Sequence, residues 1–120
     1  MAPDLTDLAV DGVRTLRALS HRIPFGGGIL APSLHNAVKG RTVLVTGASS
    51  GIGEATVLRL GAAGGKMLLI ARTRAKLQAV AGAVEDRGGS AFVHTCDLSE
   101  IDDVDRMAKE VLADHGHVDI

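Results

Sequence analysis

Residues Thr42 to Gly53 read Thr-Val-Leu-Val-Thr-Gly-Ala-Ser-Ser-Gly-Ile-Gly, and few folds can accommodate them. Val43, Leu44 and Val45 form an unbroken apolar run, the pattern of a parallel strand covered on both faces. Gly47 permits a sharp turn, and Gly51 and Gly53 leave room for a close approach from outside. Ile52, Ala55, Leu58 and Leu60 then supply the apolar side of a helix. A helix that starts just past a glycine-rich turn aims unpaired N–H groups and the positive end of its dipole at one point. That point suits a pyrophosphate. The alternative is a glycine-rich strand-to-helix turn that holds nothing.

From Lys39 onward the pattern repeats as βαβαβα. A first strand over about 42–46 leads to a helix over about 52–63, which ends at Gly64-Gly65. The second strand, Met67 to Ala71, is apolar throughout. Thr73 is placed to cap a helix carrying Leu77, Val80, Ala81 and Val84 on one face and stopping near Gly88-Gly89. A third strand spans Ala91 to Thr95. Ser99, with Asp102 three residues on, reads as a capping box for a helix bearing Ile101, Val104, Met107, Ala108 and Val111. His115 lies at its C-terminal end, where a positive charge is favourable, and Gly116 terminates it. Val118-Asp119-Ile120 begins a fourth strand. Parallel strands with right-handed helical crossovers make an α/β, Rossmann-type doubly wound sheet in the order 3-2-1, with strand 4 starting beside strand 1. The glycine turn then sits at the mouth of the crevice between strands 1 and 4.

The chain divides into residues 1–38 and residues 39–120. Leu5, Leu8, Ala9, Val13, Leu16 and Leu19 recur at helical spacing, with Asp7, Asp11, Arg14 and Arg17 between them, so an amphipathic helix is expected. Pro24, Gly26 to Gly28 and Pro32 break regular structure until about Ser33. No strand precedes Gly26-Gly28, so this run reads as a linker and not as a phosphate loop. The apolar stretch Ile23 to Leu34 suggests that the arm packs on this domain, a second copy or a neighbouring domain.

Net charge is −1, which gives no reason to expect nucleic acid or an anionic membrane as a partner. No secretory leader is recognised, since Asp4 and Asp7 occupy the place of a basic n-region. No apolar run reaches the ~18 residues of a membrane span. A single cysteine, Cys96, rules out an internal disulfide framework and fits a reducing, cytoplasmic setting.

Thr46-Gly47-Ala48-Ser49-Ser50-Gly51-Ile52-Gly53 resembles the TGxxxGIG fingerprint of the short-chain dehydrogenases/reductases. The resemblance continues through Ala71-Arg72 at the end of strand 2, Lys76-Leu77, Cys96-Asp97-Leu98 after strand 3 and Gly116-His117-Val118-Asp119-Ile120. It covers about residues 39–120 and leaves out the first 38. It implies a nicotinamide cofactor held by Gly47, Ser49, Ser50, Gly51, Ile52, Gly53, Arg72, Asp97 and Leu98. Ser49 and Ser50 offer hydroxyls to phosphate or ribose oxygens, or they shape the turn alone. A carboxylate at the end of strand 2 binds the adenosine ribose of NAD, whereas a nearby arginine accommodates the 2′-phosphate of NADP. Here that position is Ala71 and Arg72 follows, so NADP is expected over NAD. A charge-assisted bond of about 1.5–3 kcal/mol corresponds to roughly ten- to a hundredfold in affinity. Ser50 is neutral where many NADP-preferring relatives carry a second basic residue, so the preference is expected to be modest. By the same resemblance Asp97 accepts from the adenine amino group and Leu98 lies beside the ring; the alternative is that Asp97 belongs to the turn before the next helix. Asp119 reads as structural.

Other chemistry finds little support. Gly65-Lys66 fails the Walker pattern, because Leu60 stands where the first glycine is needed. His94 and Cys96 lie two apart with His115 and His117 distant in sequence, so no metal site is expected. No nucleophile elbow supports a Ser-His-Asp triad.

In the family that the motifs resemble, a tyrosine is the general acid/base, a lysine four residues on lowers its pKa and a serine polarises the carbonyl. An Asn-Asn-Ala-Gly motif follows strand 4. This chain contains no tyrosine. It is therefore expected to be the N-terminal, cofactor-binding part of an NADP-dependent reductase for a small carbonyl or alcohol substrate, with no catalytic residue of its own. Such a piece exposes a sheet edge and is expected to be poorly soluble or molten when made alone. Intact, the protein is expected to form a homo-oligomer or to dock on another domain. A non-catalytic nucleotide-binding or interaction module, with residues 1–38 as a docking helix, is the other reading.

Overall fold

The computed structural model describes residues 33–120, and the amphipathic helix and linker expected before them lie outside the described residues. A short helix α1 (Leu34–Val38) is followed by β1 (Thr42–Thr46), α2 (Gly51–Ala62), β2 (Lys66–Ala71), α3 (Arg74–Glu85), β3 (Ser90–Thr95) and α4 (Ile101–His115). The strands form one parallel sheet in the order β1-β2-β3. Asp119 and Ile120 then come alongside β1. Asp119 N–H donates to the Thr42 carbonyl at 2.9 Å, and Leu44 N–H donates to the Ile120 carbonyl at 2.9 Å. The sheet itself has three strands, and residues 119–120 lie beside β1 where a fourth strand is expected to start.

β2 explains the layering. Met67, Leu68, Leu69 and Ile70 are all fully buried, and alternate residues serve opposite faces. Met67 and Leu69 join Val43, Val57, Leu77, Val80, Ala81 and Val84 in a core beneath α2 and α3. Leu68 and Ile70 join Cys96, Met107 and Val111 beneath α4. Burying a side chain of this size contributes about 1.5–3 kcal/mol, so a strand that is apolar from Met67 to Ala71 is the natural centre of the sheet.

The boundaries follow the sequence to within a residue or two, and the caps differ from expectation. Ser33 caps α1, its hydroxyl accepting from Asn36 N–H at 3.2 Å. Thr73 stands at the N-cap of α3 but makes no side-chain capping bond. The box expected from Ser99 and Asp102 does not form; Glu100 is the N-cap of α4, also without a side-chain bond. Asp97 is the reason. Its Oδ1 accepts from both Ser99 N–H at 3.0 Å and the Ser99 hydroxyl at 2.7 Å, which holds Ser99 in the turn one residue ahead of the N-cap. Asp103, not Asp102, reaches back and accepts from Asp97 N–H at 2.7 Å.

Two helix faces are narrower than their periodicity suggests. On α2 the buried residues are Val57 and Gly61, while Ile52 is 89% exposed. On α4 they are Met107 and Val111, with Ile101 78% exposed and Ala108 also on the outside. Val38 is buried and Gly40 N–H donates to the Gly64 carbonyl at 3.0 Å, so packing reaches back into α1.

Candidate functional site

Three strand-to-helix junctions leave the sheet at one level. Thr46 pairs with Ile70, Ile70 with His94 and Ala71 with Thr95, so the segments beginning at Gly47, Arg72 and Cys96 emerge side by side. The ladder even runs one step past the strands: Ala48 N–H donates to the Ile70 carbonyl at 3.2 Å, and Cys96 N–H to the Ala71 carbonyl at 2.9 Å. Between these junctions lies a cleft of about 450 Å³. Gly47, Ser49 and Ser50 line it from the first junction, Ala71 and Arg72 from the second, and Asp97 and Leu98 from the third. Ligands of open α/β sheets bind at this carboxyl edge.

The floor of the first junction is glycine for two different reasons. Gly47 and Gly51 have φ of +63° and +57°, and a Cβ at either would meet nothing within 4 Å. Both are there for backbone conformation, and both leave open space above them. Gly53 is different. An added Cβ would strike the Gly47 carbonyl, 2.7 Å from its carbon and 3.2 Å from Ala48 Cα. The space at Gly53 is therefore used from inside by the chain's own turn, and not from outside as the sequence suggested. Ser50 holds the N-cap position of α2 without a side-chain capping bond, so the first-turn N–H groups keep no side-chain acceptor of their own.

Charge is divided across the cleft. Arg72 is exposed on one wall, next to Ala71. Asp97 faces it, and its carboxyl is held below the ordinary carboxylate range by the Ser99 hydroxyl, by Ser99 N–H and, more weakly, by Arg72. The turn role considered for Asp97 is thus real, though the bonds to Ser99 occupy only Oδ1. Leu98 is 52% exposed beside it. Of the nine residues expected to hold a cofactor, Gly47, Ser49, Ser50, Arg72, Asp97 and Leu98 line the cleft together. Gly51, Ile52 and Gly53 form the first turn of α2 behind it.

A model of the short chain dehydrogenase family matches residues 41–120. The chain belongs to that family. Among similar short-chain dehydrogenases is an uncharacterised oxidoreductase of Mycobacterium bovis, 48% identical over 91 residues, which are 73% of this chain and 27% of the relative. A fatty acyl-CoA reductase of Acinetobacter baylyi is 44% identical over 82 residues, 68% of this chain and 28% of that protein. Of the solved structures, a metagenomic short-chain oxidoreductase in complex with NADP superposes with a TM-score of 0.67 at 43% identity, over 70% of this chain and 38% of that one. An NAD+-bound xylitol dehydrogenase gives a TM-score of 0.64 at 33% identity, over 68% and 31% of the two chains. The chain thus spans little more than a quarter of the length of these curated relatives. No helix among the described residues is long and apolar enough to cross a membrane.

Around this family frame two further features stand out. Asp119 accepts from Thr42 N–H at 2.8 Å, which pins the segment after α4 to β1 and lowers the Asp119 pKa. His115, distant from His94 in sequence, lies against it, with the two Nε2 atoms 2.9 Å apart. α4 runs back along β3, so its last turn returns to the middle of that strand. Burial, Lys66 and His94 all push the His115 pKa down, so the positive charge expected there at the helix C-terminus is disfavoured.

Proposed function

We propose that this chain is the dinucleotide-binding part of an NADP(H)-dependent short-chain oxidoreductase that moves hydride between nicotinamide and a small carbonyl or alcohol compound. The observation that carries the cofactor choice is Arg72 in the same cleft as Ser49 and Ser50, with Ala71 where an NAD-binding carboxylate would stand. In this reading the N–H groups at the start of α2 and the open backbone at Gly47 and Gly51 receive the pyrophosphate. Ser49 and Ser50 offer hydroxyls to phosphate or ribose oxygens, and Arg72 takes the 2′-phosphate. Asp97, through the oxygen not engaged by Ser99, accepts from the adenine amino group beside Leu98. Ile52 and Gly53 complete the set as the helix turn that carries these donors. The fit is supported by uncapped N–H donors and a cationic wall, a donor set suited to a phosphorylated nucleotide. The relative crystallised with NADP supports the same choice, while the NAD+-bound one argues for a modest preference.

Bound there, the cofactor would supply hydride from its nicotinamide ring. With no tyrosine in residues 1–120, the proton-transfer group that the family resemblance implies would come from chain beyond this segment. The two units, residues 1–38 as an arm and 39–120 as the nucleotide-binding unit, and assembly with a second copy or another domain, belong to this proposal. Titrating NADPH and NADH against the protein and its Arg72→Ala variant tests it. The NADPH/NADH affinity ratio should fall roughly ten- to a hundredfold in the variant. An unchanged ratio would remove Arg72 from the site.

A further inference from the structure

We propose that the outer edge of the sheet carries a zinc-type divalent metal site built from His94, His115 and Asp114, with Glu110 orienting His94. His94 is buried on β3, and one nitrogen is committed: Nδ1 lies 3.0 Å from Glu110 Oε1. An ionised carboxylate only accepts, so that nitrogen carries the proton and Nε2 presents its lone pair. Nε2 points at His115 Nε2, 2.9 Å away. With no ion between them, one shared proton must occupy that gap. A divalent ion replaces it and takes lone pairs from both rings.

The remaining geometry agrees. One ligand atom from each of His94, His115 and Asp114 falls within 4.8 Å of the others. Tetrahedral ligation with metal–nitrogen bonds of 2.0–2.1 Å needs the two nitrogens about 3.4 Å apart, an opening of about 0.5 Å from the present contact. His115 is half-buried at the end of α4 and Asp114 is exposed, so both side chains have room to adjust. A carboxylate–histidine–metal arrangement fixes the tautomer of the ligating ring, and Glu110 supplies that carboxylate. Glu110 is itself held by Arg106 Nη1 at 2.9 Å. The last turn of α4 adds the negative end of a helix dipole. Two imidazoles and one carboxylate select zinc, cobalt, nickel or copper over magnesium or calcium. The cavity beside them, lined by Lys66, Arg74, Phe92, Val93 and the four residues named, shares no residue with the nucleotide cleft. Lys66 Nζ sits over the Phe92 ring, 5.1 Å from its centroid.

Calorimetric titration of the metal-stripped full chain with Zn²⁺, and with Co²⁺ to read the coordination spectrum, tests this. One equivalent should bind, with a tetrahedral Co²⁺ spectrum. His115→Gln and the exposed Asp114→Asn should each weaken binding at least about tenfold, and Glu110→Gln about ten- to a hundredfold, with circular dichroism unchanged in Asp114→Asn. His117→Gln, outside the site, should bind as the parent does. No saturable binding would show a histidine–histidine hydrogen bond and nothing more. Binding that survives both ligand substitutions, or is lost in His117→Gln, would equally overturn the site.

Discussion

Gly53 and Gly82 are both glycines inside helices, and the same substitution should move them in opposite directions. At Gly82 an added Cβ meets nothing within 4 Å. Alanine there gains the usual helix advantage of about 0.5–1 kcal/mol over glycine. At Gly53 the same methyl lands on the Gly47 carbonyl, 2.7 Å from its carbon, against 3.4 Å for ordinary contact. Both atoms that must give way are backbone, so no rotamer change relieves the clash. α2 has to move at least 0.7 Å from the turn, the difference between those two distances. Overpacking of this kind costs about 1–3 kcal/mol, and the helix gain offsets up to about 1 kcal/mol of it. We expect Gly53→Ala to lose about 1–2 kcal/mol, and Gly82→Ala to gain about 0.5–1 kcal/mol. Urea unfolding followed by far-ultraviolet circular dichroism reads both, as midpoints that part in opposite directions at constant slope. Gly53→Ala should also weaken NADPH binding, because the displaced turn carries Ser49 and Ser50, whereas Gly82→Ala should not. A Gly53→Ala protein as stable as Gly82→Ala would refute the packing role assigned to Gly53.

Gly61→Ala should cost less than Gly53→Ala, because its nearest obstacle is a side-chain carbon, Val84 Cγ1 at 2.9 Å; in a Val84→Ala background the added penalty should largely vanish, a coupling that a double-mutant cycle measures. Asp97 and Asp103 titrate below the ordinary carboxylate range in the folded chain, Asp97 chiefly through Ser99 and Asp103 through Asp97 N–H and Arg106. The unfolded chain therefore binds more protons in acid, so their stabilisation is complete above about pH 4 and is lost as pH falls through the folded values. Urea midpoints should drop along that limb, and Asp103→Asn should flatten it. Cys96 is 2% exposed, and burial together with Asp103 raises its thiol pKa. Iodoacetamide should alkylate it on the order of a thousandfold or more slower in the native than in the urea-unfolded chain.

What could be read directly from the residues is what local pattern controls. β2 is apolar at every position from Met67 to Ala71, and such a run has one home, the middle of a two-faced sheet. Leu77, Val80, Ala81 and Val84 repeat at helical spacing and all four are buried. The misses are the places where two local partners compete or where burial depends on a neighbour. Ser99 has the chemistry of a cap, but its bonds to Asp97 hold it in the turn and the helix starts beyond it, with Glu100 at the N-cap. Ile52, Ile101 and Ala108 fit an apolar stripe by spacing and still face outward. A stripe says which side of a helix can be buried, and the sheet beneath decides how much of it is. The contact between His94 and His115 was invisible for a different reason: 21 residues and a full helix separate them, and only the path of α4 along β3 closes the distance.

The cleft proposed to take the nucleotide shows how weak motifs are brought together into one candidate site. Gly47, Ser49 and Ser50 alone describe a turn, and Arg72 or Asp97 alone describes an exposed charge. None carries a function by itself. In the sheet each begins one strand-to-helix junction, and the register places the three junctions level, with Thr46 opposite Ile70 and Ala71 opposite Thr95. A shift of one residue between β1 and β2 would move Arg72 by one strand rise, about 3.3 Å, and point its neighbours to the other face. That register is held by burial: such a slip would turn Leu68 and Ile70 away from α4 and remove them from the core they share with Cys96, Met107 and Val111. The apolar strand that organises the fold is therefore also what sets the distance between the glycine turn and the arginine.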